Sequence, residues 1–208
     1  MTEFWEDAFR DKKRMWGEEP TGLAVETAER FARLGFRKIL IPGFGYGRNA
    51  QPFYEKGFEV TGIEISRTAI ELAHDLLGRE IRVFHGSVDD MPFDHDVYDG
   101  IFCHALIHLL DADQRTKLIQ DCNRQLRRGG LMVFTAITKD ASTYGVGEKL
   151  GMDRYRTKDG VSLYFYDQDS IAEAFGGVGL IEAAKIDDGG HGKPVTRFWK
   201  IVCEKRAT

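Results

Sequence analysis

From residue 36 onward, short apolar runs alternate with longer amphipathic stretches. Ile39 to Ile41 is a continuous apolar run, as expected of a strand covered on both faces, and Phe58 to Glu64, Ile81 to Phe84, Tyr98 to Cys103 and Leu131 to Thr135 repeat the pattern. Between these runs the periodicity is helical. Pro20 and Thr21 open a helix whose Ala24, Ala28 and Phe31 share a face and which ends near Gly35. Arg48 to Lys56 reads as a second helix, stopped by Gly57, and Ser66 caps a third with Ile70, Ala73 and Leu77 as its buried stripe before Gly78. Asp111 or Asp113 starts a fourth, with Leu118, Cys122 and Leu126 at four-residue steps. Arg127 and Arg128 sit where a helix C-terminus favours positive charge, and Gly129 and Gly130 end it. A polar, tyrosine-bearing insert over 139–163 precedes a short helix around Ile171 to Phe175. Two last strands, Leu180 to Ile186 and Arg197 to Cys203, are joined through Gly189, Gly190 and Pro194 in a hairpin-like connection. The order predicts an α/β fold, a mostly parallel sheet with an antiparallel pair at its edge.

Composition narrows the function classes. A chain of 208 residues has room for one domain with a full core and not for two ordinary ones plus a linker. A net charge of −4 gives no general attraction to nucleic acid or to an anionic membrane, which turns attention to small molecules. Cys103, Cys122 and Cys203 are odd in number, far apart and set in apolar patterns, so they suit a reducing, cytoplasmic compartment better than a disulfide framework. The acidic start, Met-Thr-Glu-Phe-Trp-Glu-Asp, lacks the basic region and apolar core of an export signal, and no apolar run is long enough to cross a bilayer. No membrane partner is expected.

The densest signal runs from residue 39 to residue 66. An apolar strand enters Pro-Gly-Phe-Gly-Tyr-Gly, and Glu64 closes the next strand 21 positions after Gly43. Glycines at 43, 45 and 47 let the backbone turn sharply and approach a ligand where a Cβ would collide, while a carboxylate at 64 can accept from both hydroxyls of a ribose. This describes an adenosine-cofactor pocket. The dinucleotide fingerprint places its third glycine at 48, which here is Arg48; the third glycine is instead Gly47.

Gly-x-Gly-x-Gly followed by that carboxylate resembles motif I of the class I S-adenosylmethionine-dependent methyltransferases, and the resemblance spans roughly residues 36 to 206. It implies a Rossmann-like, doubly wound, mostly parallel seven-stranded sheet closing with an antiparallel C-terminal hairpin, and S-adenosyl-L-methionine as cofactor. The chain would then divide into an N-terminal lid segment and helix over 1–35 and the methyltransferase domain over 36–208, one structural domain overall. By resemblance Gly43, Gly45 and Gly47 pass under the methionine part of the cofactor, Glu64 holds the ribose with Ile65 beside it, and Cys103 ends the fourth strand at the same edge. His85-Gly-Ser-Val-Asp-Asp-Met-Pro-Phe93 resembles the segment that flanks adenine, usually Gly-Asp-Ala followed by Leu-Pro-Phe. Here Ser87 replaces the usual acid, so Ser87 or Asp89 would take the adenine amine, and Val88 would pack on the ring. Pro42 before the glycines resembles the thiopurine, thiol and halide branch. Met15-Trp-Gly-Glu-Glu-Pro20 is similar to the tryptophan-bearing lid of that branch and of tellurite-resistance methyltransferases, which makes Trp16 a cofactor-side residue. Trp5 is read as pinning the N-terminal segment to the domain.

After the fourth strand come Cys103-His-Ala-Leu-Ile-His-Leu-Leu110. His104 and His108 at a four-residue step could pair on a metal, but neither a His-Glu-x-x-His pattern nor a third ligand supports one, so no metal is expected. His104 is the candidate general base lining the substrate side, its alternative being a satisfied core histidine. The Asp/Asn-Pro-Pro-Tyr sequence of nucleic-acid amino-methyltransferases is absent, so no nucleic-acid partner is expected. Tyr144, Arg154, Tyr155, Arg156, Tyr164 and Tyr166 gather in or beside the insert as a polar lid or as plain surface. The reaction implied is methyl transfer to a small-molecule nucleophile by in-line displacement. Its rivals are a non-catalytic S-adenosylmethionine-binding module and an NAD-dependent oxidoreductase, the latter opposed by Arg48.

Overall fold

The computed structural model describes residues 2–188 and 195–206. The seven-stranded sheet has the order β3-β2-β1-β4-β5-β10-β9, with the strands defined below. This is the doubly wound arrangement, its strand order reversing beside β1, and its last two strands form an antiparallel pair. The residues proposed to join that pair, Gly189, Gly190 and Pro194, lie outside the described residues. The chain forms two compact units, Met1–Phe102 and Cys103–Thr208.

In the first unit, α1 (Thr2–Lys12) and α2 (Gly22–Arg33) precede β1 (Lys38–Pro42), α3 (Gln51–Glu55), β2 (Glu59–Glu64), α4 (Arg67–Leu77), β3 (Arg82–His85) and β4 (Tyr98–Cys103). β1 pairs in parallel with β2 and β4, and β2 with β3, so their carboxyl ends share one edge. Caps fall where the side chains dictate: the hydroxyls of Thr21 and Ser66 accept from Ala24 N and Ala69 N at the starts of α2 and α4. Phe31, Phe36, Phe53, Phe58 and Phe102 form an aromatic core joining α2, α3 and β4, with Phe53 and Phe102 5.4 Å apart. Helix α3 begins at Gln51, three residues later than its pattern suggested. Pro52 has no N–H to give the carbonyl four residues back, so residues 48–50 form turns instead. Helix α1 had no periodicity strong enough to announce it; Phe9, deeply buried, packs with Tyr46 and Ala69.

In the second unit, α5 (Ala112–Gln125) leads into β5 (Leu126–Ile137), followed by β6 (Glu148–Gly151), β7 (Arg154–Arg156), β8 (Ser162–Tyr164), α6 (Gln168–Phe175), β9 (Leu180–Asp188) and β10 (Thr196–Glu204). Asp111, not Asp113, caps α5, forming a capping box with Gln114. The helix stops one residue before Leu126, and Arg127 to Gly130 are strand, a correction to the helical reading. The backbone of this stretch is claimed by the C-terminal segment: Gly129 N donates to Lys205 O at 2.7 Å and Lys205 N to Gly130 O at 3.1 Å. The cation at the helix C-terminus is therefore Lys205, whose Nζ donates to the carbonyls of Asn123 and Leu126 at 2.7 Å each. β10 runs antiparallel to both β5 and β9, pairing Phe198 with Ile137 and Thr196 with Asp188. The insert is itself folded into a three-stranded antiparallel sheet, β6-β7-β8. No helix among the described residues is long and apolar enough to cross a membrane.

Candidate functional site

The glycine loop leaves β1 through Pro42 with Gly43, Gly45 and Gly47 at φ 71°, 57° and 83°. These left-handed values are costly for side-chain-bearing residues, which is why the loop is spelled in glycine. Gly43 N and Phe44 N both donate to Ile63 O at 3.0 Å, tying the loop to the end of β2. Glu64 then closes it: Oε2 accepts from Gly45 N at 2.7 Å and Oε1 from Ser66 N at 2.9 Å. Burial pushes this carboxyl's pKa up, and the backbone N–H groups of Ser66, Gly45 and Ile65 pull it back down. With these backbone N–H groups in place, the carboxylate still keeps acceptor capacity for a further donor such as a ribose hydroxyl. A buried carboxylate braced on a glycine loop thus fits a nucleoside cofactor.

Around it stand the other expected residues. Ile65 O faces His85 Nε2 at 3.2 Å, and Gly86 N donates to Glu64 O at 3.0 Å, which places the 85–88 segment beside the carboxylate's strand end. Ser87 caps a short 3-10 turn, its hydroxyl accepting from Asp89 N at 3.3 Å, and Val88 is buried in that turn. Ser87 is thus already engaged locally. Trp16 is 41% exposed and stacks on Tyr46 of the loop at 6.1 Å and 10°. Trp5 lies 6.2 Å from Trp16 in the same aromatic group. Arg48, which stands where a dinucleotide binder has glycine, donates to Trp16 O at 2.9 Å and Glu19 O at 3.2 Å, so it fastens the N-terminal segment rather than facing a pyrophosphate.

Glu6 went unnoticed in the sequence. Its carboxylate accepts from Ser66 Oγ at 2.7 Å and from both the hydroxyl and the N–H of Thr68, bonds that hold its pKa below the ordinary range. It therefore docks α1 on the N-terminus of α4, next to Glu64. Sixty residues separate Glu6 from Ser66, so no local pattern could reveal the pair. Glu6→Ala is expected to leave the fold intact while raising amide hydrogen exchange across α1 about tenfold, the loss of a few charge-assisted bonds.

In the second unit, Cys103 is fully buried, and burial alone drives its thiol pKa well above the ordinary value, so it is inert as a nucleophile. His104 has partners on both ring nitrogens: Nδ1 faces Thr135 Oγ1 at 3.1 Å and Nε2 faces Asp188 Oδ2 at 3.3 Å. Ala105 N donates to the same Thr135 oxygen at 2.8 Å. Thr135 Oγ1 thus ties the imidazole to the backbone of the turn that follows β4. Neither Thr135 nor Asp188 was singled out in the sequence; both lie in strands whose apolar pattern hid them. His108 does not share a helix with His104, because Ala105 sits at φ 53° and the 3-10 turn starts only at Ile107. Among the described residues no three of His, Cys, Asp and Glu converge as a metal set.

His108 is buried with Nδ1 meeting no hydrogen-bond partner among the described residues, and burial, with His104 nearby, lowers its pKa to about 3. Its neutral form is native, so the stability it confers is complete above the unfolded value of about 6.5 and is lost as pH falls towards the folded value. Glu64, raised by burial, acts in the opposite sense on acidification. Denaturant melts of wild type and His108→Leu at pH 7 and pH 5 isolate the histidine. The variant is expected to lose about 1 to 2 kcal/mol less than wild type between those values.

The insert is packed rather than open. Tyr144 donates to Asp153 at 2.7 Å and meets Tyr155 and Phe165 edge-on, Lys139 bridges Asp153 and Asp167, and Arg115 stacks over Tyr164 at 3.9 Å.

With this geometry in view, residues 40–134 match the family described as methyltransferase domain. A sarcosine/dimethylglycine N-methyltransferase from Aphanothece halophytica is 32% identical over 177 residues, covering 82% of this chain and 60% of that one. The tRNA N(3)-methylcytidine methyltransferase Mettl2 of Drosophila melanogaster is 26% identical over 198 residues, 86% of this chain and 59% of that one. The chain thus spans about three fifths of the length of these curated relatives. The structure of the Burkholderia thailandensis 1,6-didemethyltoxoflavin-N1-methyltransferase, with bound S-adenosylhomocysteine, superposes with a TM-score of 0.73 at 17% identity, covering 99% of this chain and 87% of that one. At that identity it is the fold that is shared. Fold, glycine loop and family match agree: residues 40–134 match the methyltransferase-domain family, and the chain shares the fold of a solved methyltransferase structure.

Proposed function

We propose that the protein transfers a methyl group from S-adenosyl-L-methionine to a small-molecule nucleophile. The observation that carries this is the Glu64 carboxylate, buried at the end of β2 and braced on Gly45 and Ser66. Gly43, Gly45, Gly47, Glu64, Ile65, Ser87, Val88, Trp16 and Cys103 would form or border the cofactor site. When bound, S-adenosylmethionine supplies a methyl carbon on a sulfonium sulfur, open to in-line displacement. The chain's share is to hold, orient and exclude water, worth up to roughly 7 to 11 kcal/mol in favourable cases.

Residues 1–35 act in this reading as a lid segment over the domain of 36–208. Trp16 on Tyr46 and Arg48 on the Trp16 and Glu19 carbonyls support that role. This construction also supports kinship with the thiopurine, thiol, halide and tellurite-resistance branch, as to the N-terminal segment. His104 is the candidate base, acting together with Asp188. The net charge of −4 supports a small acceptor over tRNA, and buried free cysteines suit the cytoplasm. A non-catalytic binding module is the rival of another class. Incubation with methyl-tritiated S-adenosylmethionine and a panel of small amines, phenols, thiols, iodide and unmodified tRNA tests the reading. Label is expected in a small-molecule acceptor; label in tRNA alone, or in none, contradicts it.

A further inference from the structure

Within the second unit, Leu110 follows the 3-10 turn Ile107–Leu109, and two arginines from different elements converge on its carbonyl. Arg115 Nη1, from α5, donates to it at 3.0 Å, and Arg154 Nη1, from β7, at 3.4 Å. Arg154 stands opposite Tyr164 in the pairing of β7 with β8, and the Arg115 guanidinium lies over that same tyrosine ring at 3.9 Å. Among the described residues no carboxylate lies within ion-pair distance of either guanidinium. The acids beside them in sequence serve other groups: Asp111 caps α5, and Asp153 pairs with Lys139 at 2.7 Å. Two like charges therefore share one neutral carbonyl, an arrangement that an anion between them relieves. Tyr166 supplies a third donor. It is buried, its hydroxyl meets no hydrogen-bond partner among the described residues, and its ring stands edge-on to Tyr164 at 4.8 Å. Arg115 is close enough for its charge to oppose the upward push that burial gives the phenol's pKa. A buried hydroxyl left without a partner is costly, and a ligand oxygen satisfies it. Tyr166 N donates to Ile137 O at 2.9 Å, so this tyrosine sits at the carboxyl end of β5, the side on which ligands lie in open α/β sheets.

We propose that Arg115, Arg154 and the Tyr166 hydroxyl form a binding site for the oxyanion, carboxylate or phosphate, of a small organic ligand. The site lies wholly within the second unit and does not depend on the glycine loop or on the cofactor. Stacking on Tyr164 occupies a face of the Arg115 guanidinium and leaves its in-plane N–H groups for a ligand. Planar guanidinium forks match the paired oxygens of a carboxylate or phosphate, and charge adds to each hydrogen bond, so a neutral alcohol of the same shape is bound far less well. The insert's arginines and tyrosines then divide by role. Arg156 is held by Glu148 at 2.8 Å and Tyr144 by Asp153 at 2.7 Å, which leaves Arg154 and Tyr166, with Tyr164 between them and Arg115, to meet the ligand.

The test uses the full chain labelled with 15N-arginine. The Nε–H signals of Arg115, Arg154 and Arg156 are assigned by their loss in the three Arg→Lys variants, and wild type is titrated separately with benzoate, phenyl phosphate and benzyl alcohol. The expected result is that at least one of the two anions shifts the Arg115 and Arg154 signals saturably and with a common Kd, while the Arg156 signal stays in place and the alcohol has no effect. The tighter of the two anions tells carboxylate from phosphate. That Kd is expected to rise at least about tenfold in Arg154→Gln and about fivefold in Tyr166→Phe. The wild-type titrations need no variant to fold beyond those used for assignment, and they decide the matter by themselves. No saturable shift with either anion, an equal shift with the alcohol, or an equal response from Arg156 overturns the site. An unchanged Kd in a folded Arg154→Gln overturns it as well.

Discussion

Glu64→Ala is expected to raise the Kd for S-adenosylhomocysteine by about 10- to 100-fold while moving the melting temperature by no more than about 5 °C. The asymmetry follows from two opposed terms at one side chain. In the native protein the carboxylate is buried, and desolvation, the largest influence on its pKa, disfavours the charge; three backbone N–H groups offset that cost. Alanine removes both the charge and its compensation, so the net effect on folding is modest. Binding has no such offset, because the ligand diol loses a charged acceptor and the Gly45 N–H loses the bond that fixes the loop. Glu64→Gln is expected to fall between the two, since its amide nitrogen must face a backbone N–H at one of the two sites. Because burial raises the carboxyl's pKa, its protonation begins above the ordinary glutamate range, and affinity is expected to decline on acidification sooner than for an exposed glutamate. Calorimetric titration of the three proteins, with melts as a control, measures all of this.

The second large effect belongs to Gly47. Gly47→Ala and Gly57→Ala make a matched pair, because the two glycines have nearly the same backbone, φ 83° and φ 79°. Alanine at 57 meets nothing within 4 Å and bears only the left-handed strain, about 1 to 2 kcal/mol. At 47 the new Cβ lies 2.8 Å from Leu77 Cδ1 and 3.3 Å from Phe44 Cε1, against the buried face of α4. Either the Leu77 side chain or the loop must shift to relieve that contact, and a shift of the loop carries Gly45 with it. Gly47→Ala is therefore expected to lose about 2 to 4 kcal/mol of stability and at least about tenfold in affinity for S-adenosylhomocysteine, whereas Gly57→Ala loses stability alone. Denaturant melts and calorimetry on both variants decide it. Equal affinity losses in the two would show that the glycine loop has no special part in binding.

What could be read directly from the chain was whatever local chemistry determines. The strands of β1 to β4 announce themselves as apolar runs, Thr21, Ser66 and Asp111 stand where helix starts need a side-chain oxygen, and the loop's three glycines sit at three left-handed positions. Where local preference yielded to distant partners, the pattern misled. Arg127 to Gly130 look like the end of a helix, yet Lys205, some 75 residues on, takes their backbone into the sheet and supplies the terminal cation itself. The insert reads as a polar loop because its three short strands bury none of their residues fully and have no apolar alternation to betray them. The candidate site divides in the same way. Glu64 was legible from its distance to the glycines, but Glu6 was hidden because it meets Ser66 only through the tertiary fold. His104 stood out by residue type alone, while Thr135 and Asp188, which determine what its ring can do, sit in β5 and β9 without any motif of their own.

The most direct measurement of the central claim is calorimetric titration of the unmodified protein with S-adenosylhomocysteine and, separately, with NAD. A pocket built as the Glu64 geometry indicates binds S-adenosylhomocysteine at micromolar concentration and leaves NAD unbound. Binding of NAD alone, or of neither, contradicts it.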